Sequence, residues 1–179
     1  MNITVYLGAN DCADNAISGA AADLGSWIGK NGHSLVYGGS KCGLMGILAE
    51  STLKSGGRVI GVEPSFFVDQ GLVYDAIDEL IVTDDMAQRK AKMIELGDAF
   101  IAFPGGTGTL EEIAEVMSKV CLGHLDAPCI LYDIDGYYSG LYAQLSHMTS
   151  KGLMAPGNLE KICFAKDLGE VAAAVLRAL

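Results

Sequence analysis

The segment Pro104-Gly105-Gly106-Thr107-Gly108-Thr109-Leu110-Glu111-Glu112 gathers three glycines, two threonines and two acids directly behind the apolar run Ala99-Phe100-Ile101-Ala102-Phe103. Glycines between a strand and a helix let main-chain N–H groups approach and point at an anion. The N-terminus of the following helix adds a favourable dipole, and Thr107 and Thr109 add hydroxyl donors. A phosphate group suits such a loop. The competing structural reading is a tight turn in which Thr109-x-x-Glu112 forms a capping box. Glu112 alone favours the cap, whereas the density of glycine exceeds what a turn needs. No Gly-Lys-Ser/Thr follows, which excludes a Walker A loop.

Upstream, Met86-Ala87-Gln88-Arg89-Lys90-Ala91-Lys92-Met93-Ile94-Glu95-Leu96 reads as a helix with Arg89 three residues after Met86 and four before Met93, on the apolar stripe. An arginine there requires an acid or a bound anion; a structural ion pair or snorkelling to the surface is the bland alternative. A second glycine loop, Tyr37-Gly38-Gly39-Ser40-Lys41-Cys42-Gly43-Leu44-Met45-Gly46, also joins a strand to a helix. Contact with a ligand at Gly39 and close packing of the helix at Gly43 and Gly46 stand as equal readings. Neither loop, nor Gly8-Ala9-Asn10, matches G-x-G-x-x-G, which argues against a nicotinamide dinucleotide. His33, His124 and His147 are scattered, and Ser40 and Ser139 lack a Gly-x-Ser-x-Gly elbow, so no catalytic triad is indicated.

Positioning these loops calls for alternating strands and helices. Short β-rich runs occur at Ile3–Leu7, Ser34–Tyr37, Arg58–Val62, Glu79–Val82, Ala99–Phe103, Cys129–Tyr132 and Ile162–Phe164. Helical patterns lie between them at Asp14–Asn31, Leu44–Ser55, Met86–Leu96, Thr109–Leu122, Tyr137–Lys151 and Asp167–Leu179, several closed by a glycine, as at Gly32, Gly56 and Gly152. The strands lack a polar face. The pattern predicts a single-domain α/β fold, Rossmann-like and doubly wound: a mostly parallel sheet of about seven strands with helices on both faces, and ligands beyond the carboxyl ends of the strands. Glu63–Asp78 fits no element and reads as a mobile or substrate-covering loop.

Half of the 179 residues are hydrophobic, 19% are charged and 23 are glycine, a mixture that fits fully buried strands and tight turns. A chain of this length fits one domain around one core. The formal net charge of −10 counts against nucleic acid and anionic membranes as partners, so a small anionic ligand has to be held by loop amides and a few placed cations. No uncharged apolar run of about 18 residues occurs and no basic leader precedes Ile3–Leu7, so neither membrane insertion nor export is expected. Cys12, Cys42, Cys121, Cys129 and Cys163 form an odd count without a C-x-x-C pair; they read as small buried hydrophobes in a reducing cytoplasm, and no zinc site is expected.

Taken together, Leu35-Val36-Tyr37-Gly38-Gly39 with Gly43-Leu44-Met45-Gly46, Met86-x-x-Arg89-Lys90, Asp98-Ala99-Phe100-Ile101-Ala102, the Pro104–Glu112 motif and Asp135-Gly136-Tyr137-Tyr138 resemble the Lonely Guy family of cytokinin-activating phosphoribohydrolases. The likeness covers nearly the whole chain. It implies hydrolysis of an N6-substituted adenosine 5′-monophosphate to free base and ribose 5-phosphate, without metal or redox cofactor, by a homodimer. Arg89 and Glu112 carry over as the catalytic pair. Lys90, Gly105, Gly106, Thr107, Gly108, Thr109, Leu110, Glu111, Gly39 and Ser118 carry over as substrate contacts. Chemistry agrees, because breaking a ribosyl C–N bond passes through an oxocarbenium-like state that a carboxylate stabilises. Arg89 either holds the substrate or offsets charge on the leaving purine.

Two other functions remain open to test. The glycine loops alone allow a carrier that stores a nucleotide or phosphorylated cofactor, as in the related molybdenum-cofactor carrier proteins. A pyridoxal-dependent decarboxylase requires a Schiff-base lysine in a large cofactor cleft, and Lys41 is the only lysine in an attractive loop.

Overall fold

A computed structural model describes residues 1–177. Seven strands, β1 (Asn2–Tyr6), β2 (Ser34–Tyr37), β3 (Arg58–Pro64), β4 (Glu79–Thr83), β5 (Ala99–Ala102), β6 (Cys129–Tyr132) and β7 (Ile162–Ala165), form one sheet in the order β4-β3-β2-β1-β5-β6-β7. Each ladder between these strands is parallel, so the sheet is the expected doubly wound, Rossmann-like one. An isolated antiparallel bridge, Ser40 to Val73, ties the loop after β2 to the chain before β4.

The helices are α1 (Asn15–Lys30), α2 (Gly43–Lys54), α3 (Ser65–Val68), α4 (Met86–Leu96), α5 (Thr107–Cys121), α6 (Ser139–Ser150) and α7 (Leu168–Leu176). Period-two alternation divides the strand side chains between two apolar layers. Ile3, Val5 and Ile101 pack with Leu24, Leu48 and Val171 of α1, α2 and α7. Tyr6, Phe100 and Ala102 pack with Met93, Ile113 and Leu145 of α4, α5 and α6. Phe100 is fully buried in the centre of the second layer, so its replacement by alanine should cost roughly 3–5 kcal/mol.

Side-chain caps start three helices: Asp14 accepts from the Ala16 amide, Asp85 from that of Gln88 and Asp167 from that of Glu170. Gly32, Gly56 and Gly152 follow helices with positive φ, in line with the sequence reading. Several boundaries differ from it. β3 continues past Val62 to Pro64, and α3 occupies part of the unplaced Glu63–Asp78 stretch. The helix expected from Tyr137 starts at Ser139, because Asp135 (φ 50) and Gly136 (φ 75) hold the chain in a turn first. The last helix is described to Leu176, and the end of the expected Asp167–Leu179 span lies outside the described residues. No helix among the described residues is long and apolar enough to cross a membrane.

The chain winds outward from β1 through β2 and β3 to β4, then returns to place β5 on the other side of β1. At that reversal the loops after β1 and β5 diverge, which opens a crevice at the carboxyl edge. The loops after β1, β2 and β5 and the Arg89 side of α4 lie around it.

Candidate active site

Helix α5 begins at Thr107, two residues earlier than the sequence pattern suggested, with Gly106 as a cap that supplies no side chain. The amides of Thr107, Gly108 and Thr109 have no carbonyl partner within the helix, and Gly106, Thr107 and Gly108 are exposed. These donors sit at the positive end of a helix dipole, the arrangement an anion needs. Thr109 and Glu112 lie inside the helix, so the capping box does not form. The buried stripe runs through Thr109, Glu112, Ile113, Val116, Met117 and Val120, and Leu110 beside it is 46% exposed.

Neighbours hold this loop rigid. Gly105 lies against the backbone of Gly8, and a Cβ there would meet Thr109 Oγ1 and the Gly8 amide. From the other side the Tyr137 hydroxyl donates to Gly105 O at 2.6 Å and that of Tyr138 to Phe103 O at 2.8 Å. Asp133 Oδ1 accepts from the Tyr138 amide at 2.6 Å and fixes the turn that presents both rings.

Arg89 faces the sheet from α4, as its place on the apolar stripe requires, and is 6% exposed. Its Nε donates to Val62 O at 2.9 Å and its Nη1 to Glu112 Oε1 at 2.7 Å. The guanidinium thus satisfies a strand carbonyl and pairs with an acid on α5 that is itself 6% exposed. Its Nη2 lies against Gly38, where a Cβ would collide with it and with Met45; glycine at 38 is what lets the arginine in. Burial pushes the Glu112 carboxyl above its ordinary value, against the opposing pull of Arg89.

A second acid, Glu63 of β3, reaches the same guanidinium, with Oε2 3.9 Å from Arg89 Nε. It is 5% exposed, and its Oε2 is buried without a hydrogen-bond partner. Burial pushes its carboxyl up to about 7, with Arg89 pulling it down and Glu112 pushing it further up. The motifs did not include this residue. Its signal was an acid closing an apolar strand, which a sequence pattern does not distinguish from the first polar residue of a loop.

These groups line a cavity of about 340 Å³ that runs along the carboxyl edge of the sheet. Of the residues singled out from sequence, it brings together Arg89, Glu111, Glu112 and the Gly106–Thr109 loop. Gly105 lines an adjoining hollow with Tyr137, while Gly39, Leu110, Lys41 and Ser118 are not part of the cavity wall. Lys90 is turned along α5, its Nζ 2.6 Å from Glu111 Oε1 and 3.7 Å from Glu115 Oε2, and these acids hold its ammonium above the usual range. Ser40 and Met45 of the second glycine loop and Gly8 to Asn10 after β1 complete the near wall; Phe67 and Leu72 form an apolar far end. The arrangement offers an anion site, a buried arginine and two buried acids in one concave space.

Comparison with known proteins gives consistent matches. The family model described as possible lysine decarboxylase matches residues 45–175. A cytokinin riboside 5′-monophosphate phosphoribohydrolase of Rhodococcoides fascians is 40% identical over 175 residues, 97% of this chain and 88% of the relative. One of the same description from Arabidopsis thaliana is 37% identical over 94% of this chain and 79% of its own. Among solved structures, the molybdenum cofactor binding protein from Rippkaea orientalis superposes with a TM-score of 0.75 at 26% identity, covering 98% of this chain and 95% of that one.

Proposed function

We infer that this chain, which belongs to the possible lysine decarboxylase family and within it to the Lonely Guy phosphoribohydrolases, cleaves the N-glycosidic bond of a cytokinin-type adenosine 5′-monophosphate. The products are the free base and ribose 5-phosphate. The observation that carries this reading is the pairing of Arg89 with Glu112 beside a helix N-terminus whose amides are free. A carrier needs the anion site only; a hydrolase needs a charged group next to the sugar as well.

In this reading the phosphate sits on the amides of Thr107, Gly108 and Thr109, with the threonine hydroxyls as further donors. That anchor carries the sugar to Glu112, one helical turn beyond Thr109. Its carboxylate stabilises positive charge developing on the sugar and takes a proton from the attacking water. Water's oxygen joins C1′ as the bond to the base nitrogen breaks, and the base leaves with a proton in place of the sugar. Arg89 holds Glu112 in position and favours its ionised form against the burial that raises its carboxyl. Glu111, Gly105, Leu110 and Lys90 shape or flank the phosphate end, while Gly39 lies against Glu63.

The whole chain acts as one domain, located in the cytoplasm, a placement supported by the free thiols of its five cysteines. It works as a homodimer. Ser118 lies on α5 outside the cavity wall.

The test is incubation of the purified protein with adenosine 5′-monophosphate and with N6-isopentenyl and other N6-substituted forms, with released base quantified. Release of base and ribose 5-phosphate in equal amounts is expected. Tight nucleotide binding with no release would instead support a binding or storage protein, the structural neighbour being named a molybdenum cofactor binding protein.

A further inference from the structure

We propose that Glu63 is a second catalytic acid of this cavity, donating the proton that the base takes up as its bond to the sugar breaks. The role rests on the phosphoribohydrolase reading and adds to it a residue outside the motifs that suggested it.

The strand order places Glu63 at the base. The phosphate loop follows β5 and Glu63 closes β3, with β1 and β2 between them, so the two ends of the cavity are three strand spacings apart. Arg89 bridges the two acids, its Nη1 on Glu112 and its Nε 3.9 Å from Glu63, so a base joined to a sugar at Glu112 extends toward Glu63. Phe67 and Leu72 line that far end and supply apolar surface for a ring.

Charge balance then separates the two acids. Arg89 supplies one positive charge and hydrogen-bonds Glu112 at 2.7 Å, whereas Glu63 has only a 3.9 Å approach to a nitrogen that already donates to Val62 O. An ionised carboxylate buried without a hydrogen bond costs far more than the neutral carboxylic acid. The groups facing Glu63 are Arg89 from α4, Glu112 from α5 and the Tyr37 hydroxyl from β2, itself buried and without a partner. With Glu112 charged and Arg89 spent on it, the neutral state is the balanced one for Glu63. Its carboxyl value of about 7 leaves that proton available near neutral pH.

The step balances as follows. Glu63 gives its proton to a ring nitrogen of the base, N7 in a purine, and the electron pair of the C1′–N9 bond leaves with the base. Water adds to C1′ and its proton passes to Glu112. Glu112 returns that proton to solvent and Glu63 recovers one, so a single water is consumed.

The experiment compares wild type and Glu63→Gln on adenosine 5′-monophosphate and on its N7-methylated form, whose base departs without needing a proton. The variant should lose roughly 100-fold or more in kcat on the unmethylated nucleotide and keep nearly all its rate on the methylated one. In wild type, kcat/KM for the unmethylated nucleotide should fall above pH 7, the value to which burial raises this carboxyl, and that limb should vanish with the methylated one. The wild-type profiles do not depend on how the variant folds. Equal losses on both substrates, no loss on the unmethylated one, or an alkaline limb shared by both overturns the role. A wild type that frees base from neither nucleotide overturns the glycosidase reading itself, and this role with it.

Discussion

Arg89 Nη1 meets Glu112 Oε1 at 2.7 Å although the residues stand 23 positions apart on different helices and both side chains are buried. A pair so deep is weak evidence of stabilisation, since desolvation offsets much of its attraction. Removing one partner, however, strands the other. The consequences separate catalysis from folding.

Glu112→Gln keeps the volume and one acceptor for Arg89 but removes the negative charge. Turnover measured as released base should fall by roughly 100-fold or more, with a modest drop in melting temperature. Glu112→Ala leaves a buried guanidinium facing a gap and should cost about 3–5 kcal/mol in denaturant unfolding. Near wild-type turnover in Glu112→Gln would remove the carboxylate from the mechanism.

Gly38→Ala places a methyl group where Arg89 Nη2 and the end of Met45 now lie. Methionine can yield, but the guanidinium is tied to Val62 and Glu112. Circular dichroism should therefore stay native while kcat falls by roughly 10- to 100-fold through misplacement of Arg89. Unchanged kcat would show that the arginine tolerates displacement.

The phosphate anchor predicts a substrate preference. Adenosine should react with kcat/KM lower by roughly 100-fold or more than adenosine 5′-monophosphate, because binding energy at the loop orients the sugar. Gly105→Ala, which pushes on Thr109 Oγ1 and the Gly8 amide, should raise KM for the nucleotide and leave the reaction of the nucleoside unaffected. Comparable rates for nucleoside and nucleotide would show that the loop does not bind phosphate.

Stability should depend on pH through Glu63. Burial raises its carboxyl from 4.5 to about 7, so folding favours the protonated form. The resulting stabilisation is complete below the unfolded value and is lost as pH rises through 7. Melting temperature should fall from about pH 5 to about pH 8, and Glu63→Gln should flatten that slope. Glu112, also raised, acts in the same direction and leaves a residual slope. Parallel slopes in variant and wild type would assign the change to other groups.

Much of this molecule can be read along the chain. Apolar runs ending in glycine loops marked the strands and the crevice, since a strand buried on both faces has no choice of residue type. The interval from Met86 through Arg89 to Met93 marked a charge facing the core, because a helix's period assigns each side chain to a face. Glu63 escaped, because nothing in Val62-Glu63-Pro64 says whether the strand or the loop owns the acid. The helix start at Thr107 escaped as well: glycine and threonine fit a loop and a first turn equally.

Residue types and their spacing were enough to specify an α/β chain with an anion-binding bend and an arginine in need of a partner, because backbone geometry and periodicity act over a few neighbouring positions. Which partner Arg89 takes, and that Glu63 lies on its other side, came from the packing of β3, α4 and α5 around one cavity. Burial, pairing and proton affinity depend on neighbours in space, and the strand order that creates those neighbours is set by the whole sheet.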